Sequence, residues 1–345
     1  MAATLAEVYV ELTTARYARP AGPAAHVEAV SFRVLPTIVR MRVLSISRVA
    51  PSVPFADGEV GLSYAASAEG VIGVLATSEP GLARGFVRGP GGGSMPFYRP
   101  PRSCPVVLYT YEAHGWHRLE LSCLPVSYPV IALLPRGELL VVCPCLPWID
   151  GQWESRNAHV FGPDGAHRRT FALGDHIEQI VSDDSGTIWT SHGEQGWHES
   201  FGLVRRDPRG TWLWDSGIAC LDDAVNSHAG VAWAYRGGSL IRIQADRTVE
   251  HACPVDDVRA LAFVDDHLLL AGPDDRLSWC VLSDGVIRLL DAAEIVGPTG
   301  RPVHDWQVLD ARGPYLYLHD HGDGYHRLDI TDEAHVRPHG PMSER

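Results

Sequence analysis

Short apolar runs rich in β-branched and aromatic residues alternate with glycine- and aspartate-rich turns along most of the chain. Thr187-Ile188-Trp189-Thr190, Val231-Ala232-Trp233-Ala234 and Tyr315-Leu316-Tyr317-Leu318 are unbroken apolar stretches, the pattern of strands buried on both faces. Each such run follows a tight turn, at Glu69-Gly70, Arg136-Gly137, Ser185-Gly186, Ala229-Gly230, Asp265-Asp266 and Arg312-Gly313. A second turn recurs downstream in every unit, at Gly115, Gly165, Gly210, near Asp246, at Gly285 and near Asp332. Helical spacing is confined to Leu289 to Val296, where it predicts one short helical turn.

Two hairpins per unit predict a four-stranded blade, and units of roughly 40 to 50 residues match a propeller array whose neighbouring blades bury one another's faces. The expected fold is therefore an all-β propeller of six four-stranded blades, with a seventh blade built from both termini as the alternative. Strand-like runs at Glu7 to Leu12, Val30 to Val34 and Arg42 to Ile46 suggest an N-terminal strand that closes the ring. On that reading residues 1–50 form an N-terminal segment with closing strands, and 51–345 carry the blades of a single overall domain.

Asp184-Ser185-Gly186-Thr187-Ile188-Trp189 and Gly162-Pro163-Asp164-Gly165 resemble the blade turns of the NHL, two-component-regulator and streptogramin-lyase propellers. The resemblance spans roughly residues 60 to 330 and concerns architecture. Taken to activity, it implies a metal-assisted lyase or hydrolase of a cyclic ester or lactone, with His176 or His304 as base and Glu178, Asp256 and Asp305 as ligands or orienters of a divalent cation, Mg or Ca.

Composition narrows the alternatives. All 29 basic residues are arginine, which excludes Schiff-base chemistry, pyridoxal phosphate attachment and a Walker lysine, so no nucleotide cofactor is expected. The formal net charge of -13 opposes a nucleic-acid surface. The longest apolar run, Leu139 to Ile149, falls well short of the roughly 20 residues of a membrane helix and contains Pro144 and Pro147, so no membrane partner is expected. The 7 cysteines, an odd number, sit mostly singly in apolar stretches, and the first thirty residues lack a signal-peptide pattern; together they predict a cytoplasmic protein with reduced thiols.

Insertions point to a working face. The two turns of a unit are 45, 28 and 24 residues apart in the first three units (Gly70 to Gly115, Gly137 to Gly165, Gly186 to Gly210), against about 17 to 19 in the others. The excess lies between the second and third strands, and these connections emerge on one face of up-and-down blades. They carry Tyr98, Trp148, Trp153, His192 and Trp197, with His319 in the shorter sixth loop. Counting back about ten residues from each first turn reaches the start of each innermost strand and selects Tyr128, His176, Glu178, Asp222, Asp223, Asp256, Asp257, Arg259, His304 and Asp305 around a channel mouth, with Trp306 next to them.

Aromatic walls with a few polar groups suit a small molecule or peptide. The carboxylates and imidazoles suit either a divalent cation or proton transfer by a metal-free cyclase or isomerase. His192-x-Glu194-x3-His198 lacks the helical spacing of zinc proteases, and Cys143-Pro144-Cys145 lacks a second cysteine pair, which leaves core packing as its expected role. No Gly-x-Ser-x-Gly elbow exists for serine catalysis.

Overall fold

A computed structural model describes residues 40–332 apart from short internal segments, the longest being 89–93, 97–101, 194–201 and 218–223. The described residues fall in the compact unit Val39–Arg345. The runs Glu7 to Leu12 and Val30 to Val34 lie outside them.

The chain forms a β-propeller. Strand β1 (Arg40–Ala50) precedes a first sheet made of β2 (Val60–Ala66), β3 (Ile72–Thr77), β6 (Val107–Glu112) and β7 (Gly115–Glu120); between β3 and β6 lie a short helix α1 (Pro80–Ala83) and a hairpin of β4 (Phe86–Arg88) with β5 (Ser94–Pro96). The second sheet contains β8 (Val130–Leu134), β9 (Glu138–Val142), β12 (Ala158–Phe161) and β13 (His167–Phe171), with the hairpin β10 (Trp148–Ile149) and β11 (Gln152–Trp153) between β9 and β12. The third holds β14 (Ile177–Ser182), β15 (Ile188–His192), β16 (Gly202–Arg206) and β17 (Trp212–Asp215), and the fourth β18 (Val225–His228), β19 (Val231–Arg236), β20 (Ser239–Gln244) and β21 (Arg247–Ala252). The remaining strands are β22 (Ala260–Val264), β23 (His267–Ala271), β24 (Leu277–Ser283), β25 (Val286–Val296), β26 (Trp306–Arg312), β27 (Tyr315–Asp320) and β28 (Gly324–Asp329). They form an eight-stranded sheet ordered β22-β23-β24-β25-β1-β28-β27-β26.

Burial follows strand position. The second strands Ile72–Thr77 and Ile188–His192 are buried at every residue, whereas the outer strands Trp212–Asp215 and Arg247–Ala252 are mostly exposed. Apolar runs without alternation therefore mark the inner strands, which are covered on both faces. The first strands pack in succession, β2 beside β8, β8 beside β14, β14 beside β18, β18 beside β22, β22 beside β26 and β26 beside β2.

Strand β1 joins two sets of strands. Its first half pairs parallel with β25, from Arg40–Asp291 to Ser45–Val296, and its second half antiparallel with β28, from Ile46–Leu328 to Ala50–Tyr325. Leu44 and Ile46 point into the core, and Arg42 stacks over Trp279 at 4.5 Å while pairing with Asp291. Gly324, at φ 106°, makes the close approach possible, because a Cβ there would meet the Ala50 carbonyl oxygen at 2.6 Å.

Two expectations change. Leu289 to Val296 is extended within β25, since ladder bonds to β24 and β1 outweigh a weak helical pattern. The turn expected near Asp332 opens no further strand among the described residues; β1 occupies the place beside β28 instead.

Sheets are also tied at their outer edges. Glu138 accepts two bonds from Arg169, at 2.7 and 2.8 Å, and Arg169 donates onward to the Pro208 carbonyl. These bonds hold the Glu138 carboxyl below its ordinary range. A depressed carboxylate stabilises the fold above its unfolded value and loses that contribution as pH falls through the folded one. Glu138→Gln is expected to lower stability by about 1 kcal/mol at pH 7, and thermal melts of parent and variant should converge as pH drops below about 4.5.

Candidate functional site

Antiparallel alternation places the start of every first strand on the same face as the connection between second and third strands. Left-handed backbone recurs just before these starts: Gly58 (φ 77°) before β2, Tyr128 (52°) before β8, His176 (50°) before β14, Asp257 (53°) before β22 and Asp305 (59°) before β26. The corresponding segment before β18, with Asp222 and Asp223, lies outside the described residues. Glycine enters this region freely, whereas an L side chain there costs about 1–2 kcal/mol and is least tolerated when bulky. Four non-glycine residues hold it at equivalent places, so the surrounding hydrogen bonds must fix the backbone.

For Tyr128, His176 and Asp257 such bonds come from the preceding sheet and, at His176, also from the connection of its own sheet. The Tyr128 amide donates to Ala83 at 2.8 Å, and its hydroxyl donates to the Arg84 and Gly85 carbonyls at 3.0 and 3.1 Å. Tyr128 thus anchors the α1 loop, and burial pushes its phenol up. The Ile177 amide donates to Pro144 at 2.9 Å, and the Gly193 amide donates back to the His176 carbonyl at 2.8 Å. The Asp257 amide donates to the buried Tyr235 hydroxyl at 3.0 Å, which also receives the Gly238 amide.

The His176 segment carries the densest chemistry. Asp175, 8% exposed, accepts on one carboxylate oxygen from the Leu146 amide at 2.7 Å and the His176 amide at 2.9 Å. His192 is fully buried and its Nδ1 donates to the Asp175 carbonyl at 2.8 Å, which leaves Nε2 to accept from Thr190. Burial lowers its pKa to about 4, so it is neutral near pH 7 and locks the backbone at Asp175. The remainder of the His192-x-Glu194-x3-His198 motif, with Trp197, lies outside the described residues. Asn157, also buried, donates to the Cys143 and Gly174 carbonyls at 2.8 Å and accepts from Leu173.

These ties bring Cys145, Asp175 and His176 together, with one ligand atom from each lying within 4.8 Å of the others. Among the described residues this is the group of three such side chains that gathers; the expected Glu178, Asp256 and Asp305 are spread over β14 and the segments leading into β22 and β26. The two cysteines of Cys143-Pro144-Cys145 also part company. Cys143 is buried, burial raises its thiol and it donates to the Cys145 carbonyl, whereas Cys145 is half-exposed.

Other expected residues take separate positions. Glu178, Asp256, Arg259, His304 and Asp305 are exposed on the same face. Gly193 leaves room for Glu178, whose Oε1 would lie 2.5 Å from a Cβ at that position. Trp306 is buried in the core with Leu316 and Leu318, and so serves packing rather than a loop surface. His319 lies 4.9 Å from the Tyr325 ring and stacks with Tyr64 at 6.3 Å. Trp148 and Trp153 are register partners in the β10–β11 hairpin, and Tyr98 lies outside the described residues. Sequence reasoning missed Cys145, Asp175, Asn157 and Tyr235. Adjacency of Asp175 to His176 was the available signal, but the partner cysteine lies thirty residues away in another connection.

No helix among the described residues is long and apolar enough to cross a membrane. No family model matches the chain, and no curated protein does. Solved structures that align with it are β-propeller proteins. Hsv2 of Kluyvelomyces marxianus aligns at 8% identity and TM-score 0.44 over 79% of this chain and 77% of that one. BamB from Moraxella catarrhalis aligns at 13% identity and TM-score 0.39 over 82% and 88%. PorZ of Porphyromonas gingivalis aligns at 12% identity and TM-score 0.40 over 68% of this chain and 33% of that one. These likenesses are of propeller architecture, and nothing those proteins do is carried over to this chain.

Proposed function

We propose that the chain is a six-bladed propeller, its ring completed by β1, that binds a small molecule or peptide on the face where the first strands begin and the three long connections emerge. The supporting observation is the left-handed backbone at Tyr128, His176, Asp257 and Asp305, strain repeated at equivalent positions on one face. Strained backbone clusters at ligand-binding sites, and the exposed Asp256, Asp257, Arg259, His304 and Asp305 supply polar groups for recognition.

Melting in the presence of chelator against a library of metabolites and short peptides tests this reading. A ligand at a hundred times its Kd adds about 2.7 kcal/mol to stability. Asp257→Gly is expected to keep the unliganded stability within about 1 kcal/mol, since glycine accepts the same backbone, while losing the ligand-induced shift. A library that never shifts the melt, or a shift unchanged by Asp257→Gly and by Arg259→Ala, counts against the proposal.

A second reading, a metal-assisted lyase or hydrolase, is favoured by the grouping of Cys145, Asp175 and His176. Its first requirement is a metal ion held on this face.

A further inference from the structure

Cys145 comes from the connection between β9 and β12, and Asp175 and His176 come from the segment leading into β14. The two segments are fastened to each other by the Ile177 to Pro144 and Leu146 to Asp175 bonds, and each is fixed from behind, by Cys143 and Asn157 on one side and by Asn157 and His192 on the other. Outer partners of this kind orient ligands in metal sites. The three ligand atoms lie within 4.8 Å of one another. A tetrahedral zinc ion, with bonds of about 2.3 Å to sulfur and about 2.0–2.1 Å to nitrogen and oxygen, sets its ligand atoms roughly 3.3–3.6 Å apart. Contraction to that geometry takes side-chain rotations of about an ångström, with the backbone already pinned.

We infer that the Cys145 thiolate, a carboxylate oxygen of Asp175 and an imidazole nitrogen of His176 bind one divalent cation of the zinc class. A sulfur, nitrogen and oxygen set selects Zn2+ or Co2+ over the hard cations Mg2+ and Ca2+, which prefer oxygen alone. Binding replaces the thiol S–H bond by a sulfur–metal bond, and the proton leaves to solvent, with no change of oxidation state. Three ligands among the described residues leave a fourth tetrahedral position, and the partial exposure of Cys145 and His176 gives it access to water or to a polarisable ligand group, as in catalytic zinc sites.

The full chain, stripped of metal and titrated with Co2+, tests the inference. One equivalent is expected to raise a thiolate-to-cobalt absorption band in the near ultraviolet, and Zn2+ is expected to abolish it by displacement. Cys145→Ala should lose the band and weaken zinc binding at least the roughly 100-fold that loss of an outer partner can cause. Cys253→Ala, which alters another half-exposed thiol, should keep both. In the unsubstituted protein, zinc should slow alkylation of Cys145 and leave that of Cys253 unchanged; this readout serves even if Cys145→Ala fails to fold. Absence of the band, its persistence in Cys145→Ala, or unprotected Cys145 overturns the site. These measurements read the metal directly, and the ligand screen runs in chelator, so failure of one is distinguishable from failure of the other.

Discussion

Asp310→Ala is expected to lower the unfolding free energy by about 3–5 kcal/mol, the loss typical of stranding one member of a buried ion pair. Asp310 and Arg312 lie near the end of β26 with side chains 11% and 4% exposed; they pair side by side on that strand and together face β2 across the seam. Asp310 accepts from the Ala66 amide at 2.8 Å, and Arg312 donates to the Ala66 carbonyl at 3.0 Å, so both peptide groups of one β2 residue depend on the pair. Burial pushes the Asp310 carboxyl up, while Arg312 and the Ala66 and Ala311 amides pull it back down.

Removing the carboxylate leaves a guanidinium in the core and strips the Ala66 and Ala311 amides of an acceptor. With unfolding entropy of about 2.1 cal/mol/K per residue, a chain of 345 residues should melt roughly 4–7 °C lower. The double substitution Asp310→Leu with Arg312→Met should recover most of the loss, because the uncompensated charge is then gone. Calorimetry of the three proteins checks both statements, and a change below about 1 kcal/mol in Asp310→Ala would show that water reaches the pair.

The second large effect is expected at Asn226, which is fully buried on β18. Its side-chain amide donates to the Leu261 carbonyl at 2.8 Å and to the Gly313 carbonyl at 2.9 Å, and its oxygen accepts from the Gly313 amide at 2.8 Å. One side chain therefore links the first strand of the fourth sheet to β22 and to the turn after β26. Asn226→Ala should lower stability by about 3 kcal/mol, since buried peptide groups left without partners cost about 1–3 kcal/mol each. Asn226→Asp should be worse than alanine, because it sets a carboxylate oxygen against two carbonyls. Urea midpoints of the three proteins test this order, and an aspartate variant as stable as the parent would refute the assigned orientation.

These two residues show what was and was not legible. Eleven of the expected turns open hairpins of the propeller, because glycine or aspartate at positive φ is a local requirement that a sequence displays openly. The long connections after β3, β9 and β15 were equally visible as irregular spacing. Asp310 and Asn226 carried no such mark. Their partners are 244 and 35 to 87 residues distant, and a polar residue in an apolar strand looks the same whether it is satisfied or exposed.

The candidate site divides in the same way. His176, Asp257 and Asp305 were found by counting back from a turn, since strand length and blade geometry fix that interval. Trp306, expected beside them, faces inward instead, because neighbouring strand residues point to opposite sides. The sequence by itself determined the all-β repeat, its turns and the face on which the long connections emerge, all of which depend on residues close together in the chain. Only the tertiary structure decided that Cys145 meets Asp175 and His176 while Cys143 turns into the core, because that meeting depends on how one sheet's connection docks on the next sheet's first strand through hydrogen bonds from Leu146, Ile177, Asn157 and His192.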